Sequence, residues 1–403
     1  MNILHVISNF PPAYSYGGPV KSSYEMAKQL VEMGHNVTVY TTDVLDSKSR
    51  YKFESNPIWL DGIEVYYFKN LSNKLAHKNF PLAFRMGLKL KENIQEFDII
   101  HIHEYRSFQA IMVHHYAKKY KIPYVLQARG SVMPFFQNVM FKKVFDSIWG
   151  FNILKNAKMV LALTDNELNE YKIMGVNSDN IKIIPNGIDI SVNDNIELGK
   201  FRQKNDISNS TKVILFLGRI HKIKGVDLLI ESFSELIKDL IDVKLVIVGP
   251  DGGFLEDAKL LVKYLQIEEY TIFTGPLYGD EKMEVYSDAD VYVLPSKHEG
   301  FPNTVLESCA CGTPVVITDN CGISDIVNNF GYTTTFDKYS LTDAIKKALN
   351  DYSDKKNVVN LQKLLKEKFS IEKIVSDVEE IYMKIINDEN NRKELKGQLG
   401  PNK

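Results

Sequence analysis

Short runs of apolar residues alternate along this chain with longer amphipathic segments. Continuous apolar runs are typical of strands that are buried on both faces, and the amphipathic segments between them predict helices. Strands and helices that alternate this regularly indicate a parallel, doubly wound sheet. In the first half of the chain the predicted strands are Met1–Val6, Asn36–Thr41, Ile63–Phe68, Asp98–Ile102, Pro123–Gln127, Met159–Leu163 and Ile181–Ile184.

The same pattern begins again after a polar stretch. Residues 191–210 contain many Asn and Asp and few large apolar residues, which predicts a linker. We therefore expect an α/β protein with two doubly wound, Rossmann-like domains that face each other across a cleft. The predicted strands of the second domain are Lys212–Leu217, Lys244–Val248, Tyr270–Phe273, Val291–Pro295 and Val315–Thr318.

These patterns set the predicted domain boundaries. A first domain spans residues 1–190 and a second spans 211–370, with the linker between them. An amphipathic run predicts a C-terminal helix over residues 371–386, which we expect to pack back on the first domain. Residues 387–403 predict a disordered polar tail.

The chain has 403 residues, of which 44% are hydrophobic and 25% are charged, and this composition is typical of soluble globular proteins. No run approaches the roughly 20 apolar residues of a membrane span, and Met1 leads directly into a strand, so we expect a cytoplasmic protein. Residues 1–200 carry a net charge of +4 and the remainder −6. This asymmetry favours an acidic or membrane-surface partner for the first half and is too small to indicate nucleic acid. The spacing of the three cysteines predicts packing roles.

A motif with two carboxylates lies after the predicted strand that ends at Pro295. Glu299 precedes an apolar stretch, Val305–Ala310, that predicts a helix, and Glu307 lies on that helix. The turn at residues 300–304 leaves helix-start N–H groups without intrahelical partners, and such groups bind anions. Carboxylates beside free N–H groups suit a ligand with hydroxyls and phosphates, such as a nucleotide sugar. A capped helix with two solvated glutamates is the simpler alternative.

Two glycine-containing loops add candidate ligand contacts. Arg219 and Lys224 lie on the loop Gly218–Gly225, which follows the first strand of the second domain. At that position they can neutralise a diphosphate. The alternative is that the loop is only a basic surface. Gly17-Gly18 lies on the loop after the first strand of the chain, where an ordinary tight turn is the alternative. Its spacing is not GxGxxG, so no dinucleotide site is predicted.

Taken together, these motifs resemble the signature of family 4 of the retaining glycosyltransferases, which have the GT-B fold. The resemblance covers about residues 1 to 385. The residues that carry it are Gly218-Arg219 with Lys224-Gly225, Glu299-Gly-Phe-Pro302 with Glu307, Ala310-Cys-Gly-Thr-Pro-Val-Val316, Pro185-Asn-Gly-Ile-Asp189 and Gly17-Gly18.

The resemblance implies a role for each matching residue. Arg219 and Lys224 hold the donor diphosphate, Glu307 accepts hydrogen bonds from the ribose hydroxyls, and Glu299 contacts hydroxyls of the transferred sugar. The implied catalytic residues are thus Arg219, Lys224 and Glu299. The implied donor-binding set is Gly17, Gly18, Gly218, Arg219, Lys224, Glu299, Gly300, Phe301, Pro302, Asn303, Thr304 and Glu307. The family generally retains the anomeric configuration and needs no metal or other cofactor.

The first domain holds the candidate acceptor residues. His103 ends a strand, and Arg129 lies after the next one at a position where many family members carry His. His101 faces the same way as His103 by the period of a strand, but the sequence shows no third metal ligand, so no metal site is predicted. Lys142 and Lys143 lie among aromatic residues, which suits a membrane surface or a lipid diphosphate, while a solvated face beside a core helix is the alternative.

The sequence therefore predicts a hexosyltransferase. We expect it to use a UDP- or GDP-sugar and a glycan or polyprenyl-diphosphate-linked acceptor in surface polysaccharide or glycolipid synthesis, with peripheral contact to the inner face of the plasma membrane. The alternatives are a nucleotide-sugar epimerase of GT-B fold and a non-catalytic nucleotide-sugar-binding protein.

Overall fold

The computed structural model describes residues 1–46, 48–77, 80–134, 139–190, 196–240, 242–351 and 363–398. The chain divides into two compact units, and each contains its own sheet. Met1–Gly187 and Ile371–Lys403 form the first unit, and Ile188–Ser370 forms the second. The predicted pair of Rossmann-like domains is confirmed. Among the described residues no helix is both long and apolar enough to cross a bilayer.

The described strands of the first unit form one eight-stranded sheet. They are β1 (Asn2–Val6), β2 (Asn36–Thr42), β3 (Ile58–Leu60), β4 (Ile63–Phe68), β5 (Ile99–Ile102), β6 (Tyr124–Gln127), β7 (Met159–Ala162) and β8 (Ile181–Ile183). Their order is β3-β4-β2-β1-β5-β6-β7-β8, and only β3 pairs antiparallel with its neighbour. β1 pairs with β2 on one side and β5 on the other, so the order reverses there. Open α/β sheets bind ligands at the carboxyl ends of the strands at such a reversal.

Helices cover both faces of this sheet, as expected from apolar strands. They are α1 (Gly18–Glu32), α2 (Asn73–His77), α3 (Phe84–Asn93), α4 (Phe108–Tyr120), α5 (Val139–Phe145), α6 (Phe151–Asn156) and α7 (Asp165–Ile173). A π-helical turn, Asp146–Gly150, joins α5 to α6. The long helix predicted from residue 135 to residue 155 is therefore present from Val139 onward, and residues 135–138 lie outside the described part of the chain.

The second unit repeats the architecture with six described strands. Its elements are α8 (Lys200–Lys204), β9 (Lys212–Leu217), α9 (Val226–Leu236), β10 (Val243–Val248), α10 (Leu255–Tyr264), β11 (Thr271–Gly275), α11 (Gly279–Ser287), β12 (Val291–Leu294), α12 (Asn303–Ala310), β13 (Val315–Thr318), α13 (Ser324–Val327), β14 (Tyr332–Thr334) and α14 (Lys338–Asp351). The all-parallel order β11-β10-β9-β12-β13-β14 reverses between β9 and β12.

The last described helix, α15 (Ile371–Gln398), belongs to the first unit. Its apolar residues share a buried cluster with residues of α1 and the sheet. The predicted stop at Ile386 is wrong, because α15 continues for a further twelve residues. Glu389 in this extension forms an ion pair of 2.6 Å with Lys158. Residues 399–403 of the predicted tail lie outside the described residues.

The predicted linker is also wrong over its described part. Residues 196–210 belong to the second unit, where Phe201 of α8 is buried and Arg202 donates to the carbonyl oxygen of Asp288 and to the carboxylate of Asp290. A stretch that is mostly polar therefore packs through a few apolar and charged anchors. Residues 191–195 lie outside the described part of the chain.

Candidate active site

The strand reversal in the second unit brings its two candidate motifs together. The loop with Arg219 and Lys224 lies after β9, and the loop with Glu299 lies after β12, which is the neighbouring strand. The backbone N–H of Lys297 donates to the carbonyl oxygen of Ile223 over 2.8 Å and ties the two loops to each other. Both loops thus lie at the carboxyl edge of the sheet, where the fold binds ligands.

Gly225 makes this approach possible. Its φ is 69°, and a β-carbon there would lie 1.8 Å from the carbonyl oxygen of Pro295. Only glycine fits so close to another backbone in this left-handed conformation. The approach places Lys224 directly against Glu299 in an ion pair, with each side chain 18% exposed. The two residues predicted to act on the donor therefore lie together.

Arg219 lies on the same loop as Lys224. It is exposed, and it forms no ion pair with any described residue. Its side chain packs against Gly252, where a β-carbon would lie 2.7 Å from Arg219 Cγ. The sequence analysis missed His221, whose Nδ1 accepts the backbone N–H of Ile223 over 3.1 Å. Burial and the charges of Arg219 and Lys224 lower the pKa of His221, so this neutral ring holds the turn that carries Lys224.

The start of α12 has the geometry of an anion site. No side chain caps the helix, because the N-cap residue is Pro302. The Thr304 hydroxyl accepts a hydrogen bond of 2.7 Å from the Tyr292 hydroxyl and is thereby engaged with the neighbouring strand. Gly322 packs on this turn, and a β-carbon there would lie 2.1 Å from the carbonyl oxygen of Gly300. The turn is therefore tightly supported, and its N-cap residue offers no side-chain acceptor to the helix start.

Glu307 lies one turn further along α12 and is nearly buried, with 4% of its side chain exposed. Lys282 Nζ lies 2.5 Å from Glu307 Oε2, and the Tyr286 hydroxyl donates to the same oxygen over 3.3 Å. The alternative of a solvated Glu307 is therefore wrong. Sequence analysis missed Lys282 and Tyr286, because both lie on α11, a helix it did not predict.

Three histidines meet at the strand reversal of the first unit. His101 and His103 stack with ring centroids 4.0 Å apart, which confirms that they face the same way. The sequence showed no third partner, but His5 of β1 supplies one, and ligand nitrogens of all three lie within 4.8 Å of one another. Burial is the largest cause that lowers the pKa of each ring, so the imidazoles are neutral. The pairing of β1 with β5 sets His5 opposite His101, so predicting that these two strands are neighbours would have identified His5 as the third member.

Hydrogen bonds assign this cluster a role other than metal binding. Arg129 Nη2 lies 3.0 Å from His103 Nδ1, and a guanidinium only donates, so Nδ1 is the acceptor. His103 Nε2 then carries the proton and donates to His5 Nδ1 over 3.1 Å. His103 is left without a lone pair for a metal, and a guanidinium lies beside it. The cluster suits a hydrogen-bonded support at the sheet edge better than a cation site.

Arg129 and its neighbours form a polar group at this edge. Arg129 Nη1 donates to Asn186 Oδ1 over 2.7 Å, and burial lowers the pKa of its guanidinium to about 10. Glu104 accepts a hydrogen bond from the Ser8 hydroxyl. Burial raises the pKa of Glu104 to about 7, against the opposing effect of that hydrogen bond. The structure thus brings His103 and Arg129 together and adds Glu104, which the sequence analysis did not single out.

Lys142 and Lys143 lie on α5, apart from this polar group. The helix is anchored by the buried ion pair of Arg106 and Asp146, with 2.6 Å between Arg106 Nη2 and Asp146 Oδ2. Arg106 also donates to the carbonyl oxygens of Ser131 and Val132, so one side chain fixes both α5 and the loop after Arg129. Lys143 is exposed, and burial lowers the pKa of Lys142.

Gly17 and Gly18 lie at the start of α1 in the first unit, and Gly17 has a φ of 79°. Their loop lies after β1 at the carboxyl edge of the sheet, as expected. The predicted contact between these glycines and donor phosphates stays a prediction.

Family models match both halves of the chain. Glycosyltransferase Family 4 matches residues 16–192, and Glycosyl transferases group 1 matches residues 199–367. The chain belongs to glycosyltransferase family 4. The predicted family and enzyme class are therefore confirmed, and the two Rossmann-like domains are those of the GT-B fold.

Named relatives of this glycosyltransferase match over nearly its whole length. N-acetyl-alpha-D-glucosaminyl L-malate synthase of Bacillus anthracis is 27% identical over 94% of this chain and 97% of its own. Alpha-monoglucosyldiacylglycerol synthase of Streptococcus pneumoniae is 26% identical over 94% of this chain and 85% of its own. The crystal structure of Anabaena HepE in complex with UDP and glucose has a TM-score of 0.74 at 18% identity and covers 95% of this chain and all of that one.

Proposed function

We propose that this glycosyltransferase moves a hexose from a UDP- or GDP-sugar to a glycan or lipid-linked acceptor, with retention of the anomeric configuration. The observation that carries the proposal is the site at the carboxyl ends of β9 and β12. There a lysine and a carboxylate form an ion pair between two loops, one of which also carries an exposed arginine while the other leads into the start of α12. Cations and helix-start N–H groups stabilise a leaving diphosphate, and carboxylates accept hydrogen bonds from sugar and ribose hydroxyls.

The proposed reaction proceeds on one face of the sugar. The bond from the anomeric carbon to the diphosphate breaks as the bond to the acceptor oxygen forms, and a donor phosphate oxygen takes the acceptor proton. Arg219 and Lys224 stabilise the charge that develops on the diphosphate, while Glu299 positions the sugar through its hydroxyls. Because these residues supply the positive charge, we propose that the reaction needs no metal ion.

The acceptor side of the proposal rests on the first unit. His103, Arg129 and Glu104 line the carboxyl edge of its sheet, where a polar acceptor group finds hydrogen-bond partners. The exposed lysines and apolar residues of α5 and α6 suit a membrane surface, and we propose peripheral contact through them. Two relatives are named as synthases of a glucosyldiacylglycerol and of a glucosaminyl L-malate, and these names support lipid and small polar molecules as candidate acceptors.

Nucleotide binding tests the proposal first. We would measure thermal stabilisation of the wild type and of Glu307→Ala by UDP, GDP, ADP, CMP and NAD, each with and without magnesium. A ligand at 100 times its dissociation constant adds about 2.7 kcal/mol to the free energy of unfolding. We expect one nucleoside diphosphate to stabilise the wild type without metal and Glu307→Ala to lose the effect. Stabilisation by NAD alone, or by none of them, would overturn the proposal.

Product analysis then separates this function from the two alternatives. We expect the donor sugar to be released only onto an acceptor or, slowly, onto water, with the anomeric configuration retained by NMR. An epimerase would instead alter the nucleotide sugar in the absence of acceptor. A binding protein would be stabilised by the nucleotide and show no turnover.

A further inference from the structure

Glu307 is held by two residues of one face of α11. Lys282 and Tyr286 are one helical turn apart, so both side chains reach the same carboxylate. Lys282 Nζ lies 2.5 Å from Glu307 Oε2, and the Tyr286 hydroxyl donates to that oxygen over 3.3 Å. Since both contacts converge on Oε2, they set the direction in which the rest of the carboxylate points.

The environment of this ion pair differs from that of its neighbour on the same helix. The side chains of Lys282 and Glu307 are 18% and 4% exposed, whereas those of Lys204 and Glu281, an ion pair at 2.6 Å, are 65% and 52% exposed. Exposed pairs contribute little, but removing one partner of a buried pair leaves a charge without compensation. Loss of Lys282 should therefore disturb the direction of the Glu307 carboxylate, whereas loss of Lys204 should have no comparable effect on Glu281.

We propose that Lys282 is a positioning residue of the ribose site. Its ammonium holds the Glu307 carboxylate aimed at the 2′ and 3′ hydroxyls of the donor nucleotide, and thereby sets the preference for ribonucleotides over 2′-deoxyribonucleotides. The inference rests on the proposed function, which places the ribose on Glu307. A Lys282 that only ties α11 to α12 would change stability and leave this preference unaltered.

The test measures nucleotide discrimination. The probe is whichever of UDP, GDP and ADP binds the wild type most tightly, together with its 2′-deoxy counterpart, and the readout is the dissociation constant by calorimetry. A hydrogen bond to a charged carboxylate corresponds to a preference of at least about tenfold for the ribonucleotide. We expect Lys282→Met to lose most of this preference and Lys282→Arg to retain it, because Arg keeps the positive charge.

Two further variants complete the design. Lys204→Met removes the exposed lysine that pairs with the same helix and should preserve the full preference. In a Glu307→Gln background, Lys282→Met should add no further loss, because the two residues act through one contact. An unchanged or larger preference in Lys282→Met would overturn the inference. A wild type that binds the nucleotide and its 2′-deoxy form equally would instead overturn the role of Glu307 in the proposed function.

Discussion

Lys224 and Glu299 form an ion pair that removes one cation and one carboxylate from water together. Removing Lys224 deletes charge that we assign to the leaving diphosphate and also leaves a largely buried carboxylate without its counter-ion. We expect Lys224→Ala to lower kcat/KM by about 10²–10³, the usual cost of losing one charge-stabilising group. Steady-state kinetics with the nucleotide sugar whose nucleotide stabilises the wild type measures this.

The same loop supplies a matched control. Lys222 is exposed on the turn that carries Lys224, so Lys222→Ala should leave kcat/KM within about twofold. A double variant, Arg219→Ala with Lys224→Ala, that retained a near-normal rate would contradict the assignment of both cations to the diphosphate.

The pKa of Glu104, raised from 4.5 to about 7 by burial, makes the stability of the first unit depend on pH. The folded state binds this proton more tightly than the unfolded state, so the stabilisation is fully present below about pH 4.5 and is lost as the pH rises through about 7. Glu104→Gln is neutral throughout. We therefore expect the stability of Glu104→Gln relative to the wild type to increase between pH 4.5 and 7.5. The increase should be no more than about 3 kcal/mol in the free energy of unfolding and should appear as a rise in relative melting temperature.

A pH series of melting temperatures checks this expectation. Glu54→Gln changes an exposed glutamate of the same unit and should follow the wild type at every pH. A difference between Glu104→Gln and the wild type that stays constant with pH would show that the pKa of Glu104 is the same in the folded and unfolded states, and would contradict the expectation.

At the residue scale, the sequence predicted side chains that lie directly after a strand and missed those that a distant element supplies. Lys224 and Glu299 were found because each lies a few residues after an apolar run, and parallel strands end at one edge. His5 and Lys282 were missed, because their partners lie 96 and 25 positions away and reach them through sheet pairing or helix packing. No spacing rule along the chain records such contacts.

At the scale of elements, α5, α6 and the π-helical turn between them present an unusual surface. Seven large apolar side chains on them are at least 38% exposed, and their only acidic residue, Asp146, is buried against Arg106. Exposed apolar residues flanked by lysines and without exposed acids are typical of segments that lie on anionic membranes. The exposed apolar residues are Val139, Met140, Phe141, Val144, Ile148, Trp149 and Phe151.

This surface predicts binding to vesicles. We expect the protein to float with vesicles that contain phosphatidylglycerol and to bind them at least about tenfold more weakly when Lys142 and Lys143 are both changed to Glu, because each lysine near the surface contributes about 1 kcal/mol. Changing Val144 and Ile148 to Ser should weaken binding to neutral vesicles as well. Flotation or sedimentation assays measure both effects.

The control changes the same number of charges elsewhere on the first unit. Lys118 and Lys119 are exposed in the last turn of α4, and their change to Glu should have a smaller effect on vesicle binding. Two results would contradict the prediction: the wild type fails to bind vesicles, or neither the change of Lys142 and Lys143 nor that of Val144 and Ile148 alters binding. Either result would mean that α5 and α6 form an ordinary solvated surface, which is the alternative that the sequence left open.

Element positions were largely predictable from sequence, but element ends were not. Each predicted strand is present, because continuous apolar runs mark the buried strands of a doubly wound sheet. The end of α15 was misplaced, because residues 387–398 lack the apolar periodicity that marks a buried helix face and are held instead by charged pairs such as Lys158 with Glu389. The edge strands β3 and β14 were missed because each is three residues long and only partly buried.

At the scale of the whole molecule, the last helix completes the first unit although it comes after the second in sequence. Ile374, Val375, Val378 and Tyr382 of α15 are almost completely buried in a cluster with α1 and the sheet. The Tyr382 hydroxyl also lies 2.6 Å from Nδ1 of the buried His101. Burying each large apolar side chain contributes about 1.5–3 kcal/mol, so the loss of α15 is comparable with the whole stability of a typical domain.

Two truncations test whether the first unit depends on its C-terminal helix. A chain that ends at Ser370 should lose the unfolding transition of the first unit while the second unit still melts cooperatively and is stabilised by the donor nucleotide. A chain that ends at Ile386 keeps the buried face of α15 and loses mainly surface pairs such as Lys158 with Glu389, so it should melt within a few degrees of the full chain. Calorimetry with and without nucleotide distinguishes the two units, because Arg219, Lys224 and Glu307, which we assign to the diphosphate and the ribose, all belong to the second. A chain ending at Ser370 that kept both transitions would mean that the sheet and α1 hold the first unit together without α15.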